Sequence, residues 1–365
     1  MKYPEILGFK ELLPRLANFD SIIDVRSPAE YAEDHIPGAI NCPVLDDEQR
    51  VRVGTIYKQV NSFEAKKIGA ALIAKNIAQH IETLFLDKPK DWTPLIYCWR
   101  GGNRSGAMAL ILARIGWPVA QLEGGYKNFR THVNDVLPEL AARFRWRVIC
   151  GPTGSGKSRL LQTLAAQGAQ VLDLEQLAAH RGSVLGSLPS QPQPSQKKFE
   201  SGIWQTLRGF DAMQPVFVEA ESKKVGKLRV PDAIMEAMRK SPCIALCLPT
   251  EQRVQLLMED YAHFVQDTED LNQQLDCLQA LHGKEKIQGW KQLANNGLVH
   301  ELVRELLEKH YDPAYLRSIH KNFIQSAHAV LLDQTGIANE DFLLSAKTLC
   351  KMEDGYVAAE PAPTM

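Results

Sequence analysis

The chain has 365 residues, 45% of them apolar and 23% charged, with a formal net charge of −1; these are globular values, with length for two domains, and they exclude a disordered or collagen-like chain. Seven cysteines without a CxxC pair signal neither a zinc site nor a disulfide framework. The start MKYPEILGFKELLPRL lacks the apolar core of a secretory signal and no apolar run reaches the roughly 18 residues of a membrane span, so a cytoplasmic protein with no membrane partner is expected, and any nucleic-acid surface must be a local basic one.

The first 140 or so residues alternate short apolar runs with helical patterns. SIIDVRS (21–27) predicts a strand ending in turn chemistry, and PAEYAEDHI after it a short helix. KIGAALIAKNIAQHIETL (67–84) has helical spacing, and PLIYC (94–98) predicts a buried strand. RSGAMALILARIG (104–116) predicts a helix ended by glycine, and PVAQLEGGY (118–126) a strand running into a Gly-Gly turn. FRWRVICGPTGSGKSRLLQTLAAQG (144–168) opens a second unit as strand, Gly-rich loop and helix, with further strands expected in 169–175, 215–221 and 243–249. SVLGSLPSQPQPSQKKFE (183–200) reads as a mobile loop, 251–350 as a helical C-terminal region, and 351–365 as a disordered tail. Strands alternating with helices imply parallel α/β sheets, with domains at 1–140 and 141–250.

YCWRGGNRSG (97–106) delivers Cys98 from a strand end to a loop that opens a helix. Backbone N–H groups and the helix N-terminus then face the sulfur, and with Arg100 and Arg104 they favour the thiolate or an anion carried on sulfur. Gly101 and Gly102 let the backbone approach closely. On position alone, a buried strand-end cysteine remains the alternative.

IIDVRSPAEYAEDHIPGAINCPV (22–44), CWRGGNRSGAMALILARIG and LEGGYKNFR (122–130) resemble, in that order, motifs of the rhodanese family over roughly residues 10–140. The resemblance implies that Cys98 carries a terminal chalcogen, that Asp24 and Arg26 are structural, and that Cys42 is core. Five residues separate Cys98 from Arg104, where common single-domain rhodaneses have four; this is the C-x5-R spacing of dual-specificity phosphatases, and a wider cradle suits phosphate or selenium. The loop alone leaves both chemistries open.

GPTGSGKS (151–158) satisfies G-x-x-x-x-G-K-[ST] between a strand and a helix. Amides across Gly151, Gly154, Ser155 and Gly156 would wrap a diphosphate, Lys157 would supply charge, and Ser158 would ligate Mg²⁺. Glu219 is the preferred metal-side carboxylate, with Glu221, Asp173 and Glu175 also at strand ends. Lys223, Lys224, Lys227 and Arg229, with Arg181, Lys197 and Lys198, are candidates for phosphate or RNA-backbone contact near that strand end, and RSIHKNF (317–323) is a further basic segment.

Together CWRGGNRSG, GPTGSGKS, HRGSVLGS, QPSQKKFE and VEAESKKVGKLRVP resemble the tRNA 2-selenouridine synthase family over nearly the whole chain. The fold expected is therefore a rhodanese-like α/β domain, then a P-loop NTPase-like α/β domain with a helical C-terminal region. The resemblance implies a tRNA substrate bearing 2-thiouridine at the wobble position, with selenophosphate and geranyl diphosphate as co-substrates and no organic prosthetic group. An S-geranylated intermediate makes the sulfur a better leaving group, and the P-loop, needing only a diphosphate, is the candidate holder of geranyl diphosphate. Trp99 is expected exposed, to stack on the flipped base or pack the prenyl chain. A monomer is expected, and a selenophosphate-supplying enzyme is a candidate partner. Two readings from other classes remain: a P-loop kinase fused to a C-x5-R phosphatase, and a nucleotide-gated binding module with a vestigial first domain.

Overall fold

The computed structural model describes residues 3–100, 102–182, 191–261 and 268–352. The chain forms two compact units, Met1–Leu137 with Pro194–Gln205, and Pro138–Gln193 with Thr206–Met365. No helix among the described residues is long and apolar enough to cross a membrane.

The first unit is built on five strands, β1 (Glu5–Leu7), β2 (Ser21–Asp24), β3 (Ala39–Asn41), β4 (Pro94–Tyr97) and β5 (Ala120–Leu122). They pair in the order β1-β5-β4-β2-β3, all parallel. Strand β4 is central and all four of its residues are buried, which is why its sequence is a continuous apolar run and not an alternation. The helix Asn103–Ile115 ends at Gly116, whose φ of +126° lies outside the range most residues tolerate. Ile23, Val25, Ile96, Met108 and Leu112 form the core between sheet and helix.

The second unit contains β6 (Trp146–Cys150), β7 (Gln170–Leu172), β8 (Val216–Glu219), the short antiparallel pair β9 (Lys224–Val225) and β10 (Leu228–Arg229), β11 (Cys243–Cys247) and β12 (Val330–Asp333). Its sheet runs β12-β11-β6-β8-β7, again all parallel, with β6 central. Helix Lys157–Ala166 packs Leu160, Leu161 and Leu164 against Ile149 and Phe217. The helical segments after Thr268 have a core of their own, with Leu275, Ile287, Trp290 and Leu302.

Two parts differ from the sequence expectation, and two lie outside the described residues. Residues 196–200, read as mobile loop, open the helix Gln196–Arg208; its residues through Gln205 belong to the first unit, although they fall in the P-loop segment of the chain. There Trp204 packs on Phe129 at 5.5 Å between ring centroids, and Arg130 bonds Ser201 and Glu200. Strand β12 lies inside the segment read as helical and adds the edge strand beside β11. Residues 183–190 of the expected loop and 353–365 of the expected tail lie outside the described residues.

Candidate functional site

In both sheets the chemistry-bearing loop leaves the carboxyl end of the central strand, where open parallel sheets bind ligands. Cys98 directly follows β4, and its carbonyl accepts the Tyr126 N–H at 2.8 Å. The side chain is only 4% exposed and packs in the apolar cluster with Val25, Cys42 and Met108. Its sulfur accepts the Ser105 hydroxyl at 3.2 Å, and Gln121 Nε2 donates to that hydroxyl at 3.1 Å. The thiol is thus embedded in the first unit with a hydroxyl donor, and is less open than a bare strand end implies.

The arginines expected to polarise it are engaged elsewhere or solvated. Arg104 makes two bonds to Glu30, at 2.6 and 3.2 Å, and Arg100 is exposed. Glu30 also receives the Ser27 N–H at 3.1 Å as part of a capping box on helix Pro28–Glu33. Burial opposes its ionisation, but Arg104 outweighs that and holds the carboxyl below its ordinary range. Gly101 lies outside the described residues; at Gly102 a Cβ would meet open space, so the close approach expected there is not required. Trp99 is half-buried against Tyr126, with ring centroids at 5.3 Å, and not exposed as expected.

Asp24 and Arg26 form a fully buried ion pair at 2.6 Å. Arg26 also reaches the Asp34 carbonyl at 2.6 Å and lies 3.9 Å over the Tyr126 ring. Both charges are consumed in joining β2 to the following turn, a structural role. Cys42 is fully buried, and burial, with Asp24 beside it, pushes its thiol up to about 12.

The phosphate loop joins β6 to helix Lys157–Ala166. Gly154 and Gly156 take φ of +77° and +87°, and a Cβ on Gly156 would come within 2.6 Å of the Phe342 ring. Lys157 Nζ donates to the Gly151 carbonyl at 2.7 Å and to that of Pro152 at 3.3 Å. Ser155 is fully buried and its hydroxyl has no partner among the described residues.

Four carboxylates surround this loop. Ser158 donates to Glu175 at 2.9 Å, and the Glu175 N–H donates to Glu219 at 2.9 Å. Glu175 is therefore the carboxylate on the Ser158 hydroxyl, whereas Glu219, preferred from sequence, lies behind it, 2% exposed with one oxygen that has no partner among the described residues. Burial, followed by its acidic neighbours, pushes Glu219 well above its ordinary range. Burial and then Glu175 push Glu221 up to about 8, against Lys157. Burial also lowers Lys157, with Glu175 and Glu221 opposing. Asp173 instead caps the helix Leu174–Ala178 through Gln176 N–H at 2.7 Å.

Sequence reasoning missed the supports of this loop. Arg253, 5% exposed, holds the Thr153 carbonyl at 2.7 and 2.9 Å and Asp312 at 2.6 and 3.0 Å. Tyr315 accepts the Gly151 N–H at 2.7 Å. No local signal marks these residues; they lie 100 and more positions from the motif they serve. Among the basic candidates, Lys224, Lys227 and Arg229 are exposed on the β9–β10 pair, Lys223 pairs with Asp232 at 2.8 Å, and Arg181 packs over Tyr261 at 4.7 Å. Lys197 belongs to the first unit, where it pairs with Glu33 at 2.7 Å; Lys198 is exposed.

Family models described as "Rhodanese-like domain" and "tRNA 2-selenouridine synthase AAA domain" match residues 9–132 and 144–330. A protein named tRNA 2-selenouridine synthase from Sulfurovum sp. is 31% identical over 357 residues, covering 86% of this chain and 94% of the relative. Another so named, from Nitrosomonas europaea, is 37% identical over 268 residues, covering 72% of this chain and 68% of the relative.

Proposed function

Because this chain belongs to the tRNA 2-selenouridine synthase family, we propose that it replaces the sulfur of wobble 2-thiouridine in tRNA by selenium, in two steps served by its two loops. The alignment that runs through both loops and covers 94% of a relative so named is the observation that carries this reading.

In the first step the phosphate loop holds geranyl diphosphate. The thiocarbonyl sulfur attacks the allylic carbon, pyrophosphate departs, and the base loses its N3 proton. Lys157 leaves its own loop carbonyls to meet the developing charge on the leaving group. An anionic ligand among Glu175, Glu219 and Glu221 needs a compensating cation. The donors fit magnesium: a hydroxyl on Ser158 and a carboxylate on Glu175, bonded to each other at 2.9 Å. Magnesium takes one or two protein oxygens and fills its shell with phosphate and water, so it needs no larger protein cage. Among the described residues no group of three or more His, Cys, Asp or Glu forms one. When bound, the ion would neutralise charge on the departing pyrophosphate.

In the second step the Cys98 sulfur attacks the phosphorus of selenophosphate and releases selenide. Selenide adds to C2 of the base, geranyl thiol departs as the leaving group, and water removes the phosphoryl group from Cys98 as phosphate, with no change of oxidation state. Cys98 is 4% exposed, so the reaction there requires a local opening around it. The exposed Lys224, Lys227 and Arg229 are the proposed contacts to tRNA phosphates, supported by their position after β8. The family match leaves the kinase–phosphatase reading without support.

Mass spectrometry of 2-thiouridine tRNA incubated with protein, magnesium, geranyl diphosphate and selenophosphate tests the scheme. Omitting selenophosphate should leave S-geranyl-2-thiouridine, and omitting geranyl diphosphate should leave the tRNA unchanged. Selenation without geranyl diphosphate would overturn the two-step order.

A further inference from the structure

Three buried side chains of the first unit form a hydrogen-bond chain that ends on the sulfur. Gln121 Nε2, on β5, donates to Ser105 Oγ at 3.1 Å, and Ser105, in the first turn of helix Asn103–Ile115, donates to Cys98 Sγ at 3.2 Å. Gln121 is 7% exposed, Ser105 0% and Cys98 4%, so water competes little for these bonds.

The chain has a direction. The Gln121 N–H occupies a lone pair of the serine oxygen, so Ser105 has one proton to give, either to the sulfur or to the Gly102 carbonyl at 3.3 Å. A charged sulfur wins that competition, because a hydrogen bond to an ion is roughly twice as strong as one between neutral groups. The sulfur needs a donor: Cys98 belongs to an apolar cluster that includes Ile23, Val25 and Met108, and an ionised group in such surroundings is costly without a partner. Arg104 is committed to Glu30.

We propose that Ser105, oriented by Gln121, is a positioning residue whose hydroxyl proton stabilises negative charge on the Cys98 sulfur for its attack on the phosphorus of selenophosphate. This rests on the proposed function, in which Cys98 is the covalent carrier of the phosphoryl group during selenium transfer. A donor fixed before the reaction costs no reorganisation when the charge appears, which explains why an apolar pocket can house a nucleophile.

The test is the pH profile of Cys98 alkylation by iodoacetamide in the full-length protein, with the labelled peptide quantified by mass spectrometry. The Ser105→Ala profile should move to higher pH by about one unit or more, the worth of one hydrogen bond to a charged group. Ser105→Thr should restore it, and Gln121→Met should move it the same way by less. A Ser105→Ala profile superimposed on the wild type overturns the proposal. Should Ser105→Ala fail to fold, an unmoved Gln121→Met profile overturns it equally. Selenium incorporation by Cys98→Ser is measured alongside: activity there would overturn the carrier reading, whereas the alkylation profiles judge the relay alone.

Discussion

The two anion loops share one construction and have opposite surroundings. Each leaves the central strand of a five-stranded parallel sheet and runs into a helix. Around Cys98 the charges are cancelled in pairs, Arg104 with Glu30 and Arg26 with Asp24, and among the described residues the sulfur has a hydroxyl donor within an apolar cluster. Around Lys157 the carboxyls are not paired off with cations: Glu219 has an oxygen with no partner among the described residues, and burial with Glu175 beside it pushes Glu221 up to about 8, so it keeps its proton below that pH. The contrast suits the two tasks. An atom that carries its cargo covalently needs a donor at one point, while a site that binds and releases a diphosphate needs carboxyls whose charge can be withheld and a cation to balance the ligand.

The largest effect expected from breaking this contrast is at Cys98. Cys98→Ser should lose selenation entirely while geranylation continues, because the phosphate loop is untouched; nucleoside analysis reads both products. Loss of geranylation as well would mean the tasks are not divided as proposed. Lys157→Ala comes next. Removing a charged donor costs about 1.5–3 kcal/mol, so geranyl diphosphate should bind on the order of 10- to 150-fold more weakly. Isothermal titration checks this, and unchanged affinity would remove the ligand assignment.

A smaller effect should appear in the pH dependence of stability. Glu221 ordinarily ionises near 4.5, yet in the folded chain its carboxyl is pushed up to about 8 by burial and then Glu175. Between those values the folded chain keeps a proton that the unfolded chain has released. Its contribution is fully present below about 4.5, declines as pH rises and is gone above about 8. Glu221→Gln removes that titration, so thermal unfolding of the variant should vary less across this window than that of the wild type. Equal slopes would show that Glu221 does not titrate there.

Much of the framework was legible in the chain because local chemistry fixed it. PLIYC is buried on both faces and so reads as an apolar run, and the phosphate loop announces itself through glycines that must take positive φ. What escaped depends on distant partners. VLLD (330–333) is a strand because β11 lies beside it, yet its local setting reads as helical. QKKFE (196–200) reads as polar loop, while its helix is secured by Arg130 and by Trp204 on Phe129. At the sites, Cys98 and Lys157 are visible from spacing, but the choice of Glu175 over Glu219 turns on which strand end reaches the Ser158 hydroxyl. Arg104 looked like a partner of the sulfur until Glu30, 74 positions away, took its guanidinium.

The smallest effect sharpens the contrast from within the first unit. Cys42 and Cys98 share one apolar cluster, so burial alone does not separate a carrier sulfur from a packing sulfur. What separates them is the donor. The Cys98 sulfur receives a hydroxyl, whereas burial and the nearby Asp24 push the Cys42 thiol up to about 12, leaving it protonated at neutral pH. A protonated thiol is a poor nucleophile and could not take over the attack on selenophosphate. Cys42→Ala should therefore leave the rate of selenium transfer unchanged and lower stability by about 1 kcal/mol, the ordinary cost of a core substitution. A large loss of transfer rate in a well-folded Cys42→Ala protein would place the second sulfur in the chemistry, and the hydroxyl would no longer mark the difference between them.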